Sequence, residues 1–218
     1  MKLLCLPRST QAALFSLLVA WATAAAAAEP ADGVYALGDR RELFVDRRQI
    51  ESTSGSAELK LHAPQPADVA IKFDAPWEGP TSAYVTVFQD DDRVRMYYRG
   101  SGAGKEGEKP LQFACYAESK DGKTFTKPKL GLFEYDGSKD NNIVWRNPSH
   151  NFAAFKDTRP GVPKDEQYKA LQTANSAGLG RGLAAFYSAD GIHWRVGVDH
   201  PVITNGGFDS QNLAFWDP

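Results

Sequence analysis

The stretch "SKDGKTF", Ser119–Phe125, returns as "SADGIHW", Ser188–Trp194, 69 residues further on. Working outward from the two copies, the similarity extends in both directions. "LAAFYSADGIHW" takes the place of "FACYAESKDGKTF", and "QYKALQTA" that of "RVRMYYRG". The Gly-rich "NSAGLGRG" takes the place of "GSGAGKEGEKP", and "SHNFAAFKD" (149–157) that of "SAYVTVFQD" (82–90). "SQNLAFWD" (210–217) opens the pattern a third time. Self-similarity at one fixed interval is the mark of a repeat architecture.

Within a repeat, short apolar or alternating runs are separated by Gly, Pro, Asp and Asn, and no long stretch keeps a helical period. That is an all-β pattern. In the first repeat it predicts strands at about 84–88, 94–98, 111–118 and 123–127. Asp90-Asp91-Asp92 turns the first hairpin. Asp121-Gly122 turns the last, as a type I′ turn with positive φ at both central residues. Four antiparallel strands in some 70 residues suit one blade of a β-propeller with generous loops. A blade has two apolar faces and buries them by stacking on its neighbours. Phe125 and Trp194, at matching positions after the turn, are expected to wedge between blades.

Before the repeats, "MKLLCLPRSTQAALFSLLVAWATAAAAAEP" has the layout of an export signal. Lys2 and Arg8 form the positive end, Ala12–Ala20 the apolar middle, and Ala26-Ala27-Ala28 a cleavage site before Glu29. The apolar length would also just permit an uncleaved anchor. Cleavage leaves 23 bases against 27 acids, a net charge near −4. The chain is then expected in the periplasm or outside the cell, without stable membrane insertion. Its acidic balance argues against nucleic acid, which calls for a basic stripe. Cys5 leaves with the signal and Cys115 stands alone, so no internal disulfide is expected; Cys115 shares a strand face with Leu111 and Phe113 and reads as a small buried hydrophobe.

The residues "FDAPWEGPTSAYVTVFQDDDRVRMYYRG", "YAESKDGKTFTKPKLGLFEYDGSKDNNIVW" and "FDSQNLAFWD" resemble a group of exported bacterial proteins described as glycosyl hydrolase family 32 N-terminal-like. That group belongs to the five-bladed propeller superfamily of families 32, 43, 62 and 68. The resemblance covers roughly 41–218 and implies a five-bladed β-propeller of four-stranded antiparallel blades, of which two to three lie in this chain. The expected layout is a closing segment at about 41–75, blade one at 76–140, blade two at 141–205 and the start of blade three at 206–218. A closed ring needs on the order of 300 residues or more, so an N-terminal fragment of a larger protein is expected.

Catalytic members of that superfamily project three carboxylates toward the axis. Glycoside hydrolysis needs an acid and a nucleophile or base, about 5 Å apart for retention and roughly 6.5–9.5 Å for inversion. The family 32 motif Trp-Met-Asn-Asp-Pro-Asn-Gly is absent here, as are Arg-Asp-Pro and Glu-Cys. "FWDP" resembles Arg-Asp-Pro, but Asp217 aligns with the turn residues Asp90 and Asp157. The axial strand ends instead offer Glu78 and Asp209 as candidate acid and base, or else a loop residue and a strand cap. His150, Asn151, Gln211 and Asn212 would serve sugar hydroxyls, and Trp77 and Tyr84 would stack on a sugar face or simply pack.

His150 has no spaced partner for a metal, the acidic turn reads as a solvated hairpin rather than a calcium site, and neither Gly-rich loop is a phosphate or dinucleotide motif. No metal or cofactor is expected. Two functions follow: an exported glycoside hydrolase acting on a poly- or oligosaccharide, or a non-catalytic propeller that binds glycan or protein.

Overall fold

The computed structural model describes residues 38–39, 42–43, 45–47, 49–102, 111–146 and 149–217. The expected signal segment, 1–28, and most of the first Gly-rich loop lie outside them. The chain divides into two compact units, Met1–Pro64 and Gln65–Pro218. The described residues of the first contain only turns, bends and irregular chain. The second is all-β, with two four-stranded antiparallel sheets.

In the first sheet β1 (Ala83–Asp90), β2 (Arg93–Gly102), β3 (Leu111–Ser119) and β4 (Ile143–Arg146) lie side by side in chain order. The second repeats this with β5 (Ala153–Lys156), β6 (Tyr168–Thr173), β7 (Leu183–Ser188) and β8 (Arg195–Val196). The first strands of the two sheets, β1 and β5, lie beside each other. Among the described residues no helix is long and apolar enough to cross a membrane.

Strand alternation sorts side chains onto two faces, and both faces of the first sheet are covered. Tyr97, Ala114, Tyr116 and Val144 point toward the second sheet, where they meet Phe152, Ala154, Tyr168, Ala170, Ala184, Phe186 and Trp194. Met96, Tyr98, Phe113, Cys115, Ala117 and Ile143 point the other way. They are covered by Ile71, Phe73, Trp77, Phe125, Phe133 and Tyr135. Central β2 is therefore buried through most of its length. Cys115 is fully buried in this second cluster, and burial pushes its thiol well up, as a small hydrophobe requires.

The two Asp-Gly turns are not type I′ hairpins. Gly122 and Gly191 have positive φ, 69° and 76°, but Asp121 and Asp190 do not. The side chains shape these turns. Ser119 Oγ accepts the N–H groups of Asp121 and Gly122, and Asp121 Oδ1 accepts those of Lys123 and Thr124 at 2.8 and 2.9 Å. Ser188 and Asp190 repeat the pattern on residues 190–193. These captured N–H groups are the donors a returning strand would use. After Asp121 the expected fourth strand at 123–127 reduces to a single bridge, Glu118 to Thr126: Phe125 N–H donates to Ala70 O, and the β3 edge is taken by residues 142–146. The fourth strand is Ile143–Arg146, so the first sheet runs past residue 140.

The second turn also locks the two sheets together. Arg95 Nη1 donates to Asp190 O, and Tyr97 OH and Trp194 Nε1 both donate to Gly191 O. A Cβ at Gly191 would come within 2.7 Å of Arg95 Nη1 and of Tyr97 OH, so glycine is required by close approach as well as by φ. Trp194 wedges between the sheets, edge-on to Tyr97 at 5.9 Å and to Phe152 at 5.0 Å. Phe125 packs instead on the opposite face of the first sheet, with Phe73 and Trp77.

The third repeat makes no strand over 210–217. An extended segment needs a neighbour to form a ladder, and Leu213 and Phe215 stand exposed there.

Candidate functional site

Glu78 is fully buried on the face of the first sheet that points away from the second. Its Oε1 accepts from Tyr98 OH and from Lys127 Nζ; its Oε2 accepts from Ala75 N–H at 2.8 Å and Lys127 Nζ at 2.9 Å. A carboxylate offers about four acceptor positions, and protein donors fill them. Trp77 is built into the same region, with its indole N–H donating to Asn142 Oδ1 at 2.7 Å and its ring edge-on to Tyr135.

Asp209 is exposed, and its Oδ1 accepts the N–H of Ser210. Its charge is felt at His150, which sits beside Arg99. Tyr98 and Arg99 are consecutive on β2 and so point to opposite faces. The structure therefore does not bring Glu78 and Asp209 together.

What gathers around His150 is a different set. Its Nδ1 lies 3.4 Å from Arg99 Nη1 and 3.2 Å from Gln112 Oε1, and its ring is 5.5 Å from that of Tyr84. The Arg99 guanidinium lies 4.7 Å above the Tyr84 ring, within cation–π range. Tyr84 reaches this position through local irregularity: its φ is 55°, and the pairing of β1 with β2 shifts register between Ala83 and Thr86. A bulge re-aims a side chain in this way. Gln112 and Arg99 share a face of adjacent strands, and the Ser149–His150 loop supplies the imidazole.

Burial and the Arg99 charge lower the His150 imidazole below its usual range, against an opposing pull from Asp209. It is therefore neutral at pH 7.

The remaining expected residues serve the frame of this cluster. Asn151 is buried, accepting Thr173 N–H at 3.0 Å and donating to Ser210 O. Gln211 Nε2 donates to Tyr84 O and to Thr86 Oγ1 at 2.8 Å, tying the segment after Asp209 to β1. Asn212 Nδ2 approaches Ser210 O at 3.4 Å. Arg99 and Gln112 were missed from sequence; the one available signal was that Arg95, Tyr97 and Arg99 fall on one face at a period of two.

At the opposite end of the same strands a cavity of about 420 Å³ is lined by Asp92, Arg93, Glu118, Ser119, Lys120, Asp121, Thr124 and Thr126. Arg93 pairs there with both Asp92 and Glu118, and the Asp121 carboxyl, held down to about 2 by the N–H groups of Thr124 and Lys123 and the Ser119 hydroxyl, is committed to its turn. Arg93, Glu118 and Asp121 are thus engaged with one another or with the turn. The acidic hairpin is likewise no open loop: Asp90 is buried and bound by Arg95, Lys156 and Tyr168. Among the described residues no group of three or more His, Cys, Asp or Glu could hold a metal ion.

The chain matches no family model, no curated protein and no solved structure.

Proposed function

We propose that this chain contributes two blades to an exported, five-bladed β-propeller, and that the propeller binds a saccharide where Tyr84, Arg99, Gln112, His150 and Asp209 meet. The adjoining first strands of the two sheets support the propeller reading, since inner strands crowd together around a propeller axis. The observation that carries the ligand reading is the convergence of an aromatic ring, a guanidinium, an amide and a neutral imidazole at one end of those strands. A ring to stack on and fixed polar groups around it are what a polyhydroxylated ligand uses.

Binding is favoured over hydrolysis because the acceptor positions of Glu78 are filled from within the protein. Hydrolysis remains the second reading, favoured by the exposed carboxylate of Asp209 beside His150; it needs a partner carboxylate other than Glu78.

The test is calorimetric titration of the purified chain with neutral and acidic oligosaccharides, alongside the Tyr84→Ala and His150→Ala variants. Saturable binding weakened by about tenfold or more in either variant supports the site. Binding that both variants leave unchanged rules it out. Release of reducing sugar by the chain, lost in Asp209→Asn, would favour the hydrolytic reading.

A further inference from the structure

We infer that the saccharide carries a carboxylate, as a uronic-acid residue does, and that Arg99 holds it. This rests on the saccharide reading above and narrows it to a class of ligand. Arg99 is held in one orientation by protein contacts. Its Nε and Nη2 donate to Thr81 O at 3.3 and 2.9 Å, Nη1 lies 3.4 Å from His150 Nδ1, and the guanidinium rests on the Tyr84 ring. A guanidinium has five N–H donors. Nε and Nη2 each give one to Thr81 O, which leaves one on Nη2 and at least one on Nη1. Two parallel N–H groups on a planar cation match the two oxygens of a carboxylate.

The other arginines of β2 are both neutralised: Arg93 by Asp92 and Glu118, Arg95 by Asp90. Arg99 forms no ion pair with any described Asp or Glu, although it is half-buried and already ordered. Ordering an arginine costs side-chain entropy that a bound anion then need not supply. Gln112 and the neutral His150 ring flank the guanidinium as partners for ring hydroxyls. Asp209, which only accepts hydrogen bonds, suits a hydroxyl and not the carboxylate.

The experiment compares trisaccharides of galacturonate, glucuronate and mannuronate with their methyl esters. Esterification removes the charge and keeps the sugar ring. At least one acid form is expected to bind the full chain about tenfold or more tightly than its ester. Arg99→Gln should abolish that preference, the acid form losing about tenfold or more in affinity relative to its ester, and Arg99→Lys, which keeps charge without the fork, should restore only part of it. Far-UV circular dichroism identical to the parent shows that the variants fold. Equal affinity for acid and ester overturns the carboxylate assignment and leaves the saccharide reading intact. Binding of no sugar in either form overturns the saccharide reading, and the assignment with it.

Discussion

At the turn end of the first sheet the Arg95 guanidinium lies 4.7 Å from the centre of the Tyr168 ring; at the other end Arg99 lies 4.7 Å from that of Tyr84. The two clusters are built from the same side chains on the same face of the same strand, four residues apart. They differ in how their charge is balanced. Asp90, 4% exposed, takes Arg95, Lys156 and the Tyr168 hydroxyl, and so closes the first cluster across both sheets. Nothing among the described residues does this for Arg99. Residue type alone does not separate a structural cluster from a binding one; the presence of an internal counter-charge does.

The largest way to break the contrast is to remove Asp90. Asp90→Ala leaves Arg95 and Lys156 facing each other without their shared anion, and loss of one partner from a buried pair costs about 3–5 kcal/mol. Urea unfolding should show the midpoint falling accordingly; a change below about 1 kcal/mol would mean that the cluster is not a stabilising one.

Glu78→Gln comes next. It leaves Lys127 without its buried partner, though Asp74 and residual water contact remain to Lys127. A loss of about 2–3 kcal/mol is expected, discounted for that exposure. Far from ending a reaction, this variant should lose stability and keep whatever ligand binding the parent shows.

The third expectation concerns acid. Burial would raise the Asp90 carboxyl, but Lys156, Tyr168 and Arg95 together outweigh it and hold it below the ordinary 3.8. Burial likewise opposes the His193 and Ile192 N–H groups, the His193 ring and the Ser188 hydroxyl, which hold Asp190 down to about 2. A carboxyl depressed in the folded state contributes stability that is complete above its unfolded value and is lost as pH falls through the folded one. Stability should therefore decline from about pH 4 toward pH 2, and Asp90→Asn should flatten that decline. A parent whose stability is level across this interval would contradict the pairing.

The smallest effect on stability belongs to Arg99→Gln, about 1 kcal/mol or less, because it gives up the Thr81 O contacts and the Tyr84 stacking but breaks no buried ion pair. Thermal unfolding would detect a larger loss, and that loss would make Arg99 structural after all.

Much of the sheet architecture was legible from period-two alternation and from the repeated turns, because both are local. The fourth strand of the first repeat was not, since the edge of β3 is taken by Ile143–Arg146, distant in sequence from the turn that was expected to supply it. Phe125 and Trp194 occupy matching positions yet pack on opposite faces of the first sheet, a difference set by distant neighbours and invisible in the motif. The candidate site was legible only in part. His150 and Asp209 could be found as polar residues at strand ends. Glu78 looked like an available acid because nothing nearby in sequence announces Tyr98 and Lys127 as its partners. Tyr84 and Arg99 meet through a register shift that no residue pattern marks.

A ligand's footprint on the protein separates the open Arg99 cluster from the closed Arg95 cluster most directly. In a nuclear magnetic resonance titration of the isotope-labelled chain with a uronate trisaccharide, shifts should concentrate at Tyr84, Arg99, Gln112, His150 and Asp209, while the signals of Asp90, Arg95 and Tyr168 stay still. Saturable shifts centred on the closed cluster or on the cavity lined by Arg93 and Glu118, with the Arg99 end unmoved, would contradict it.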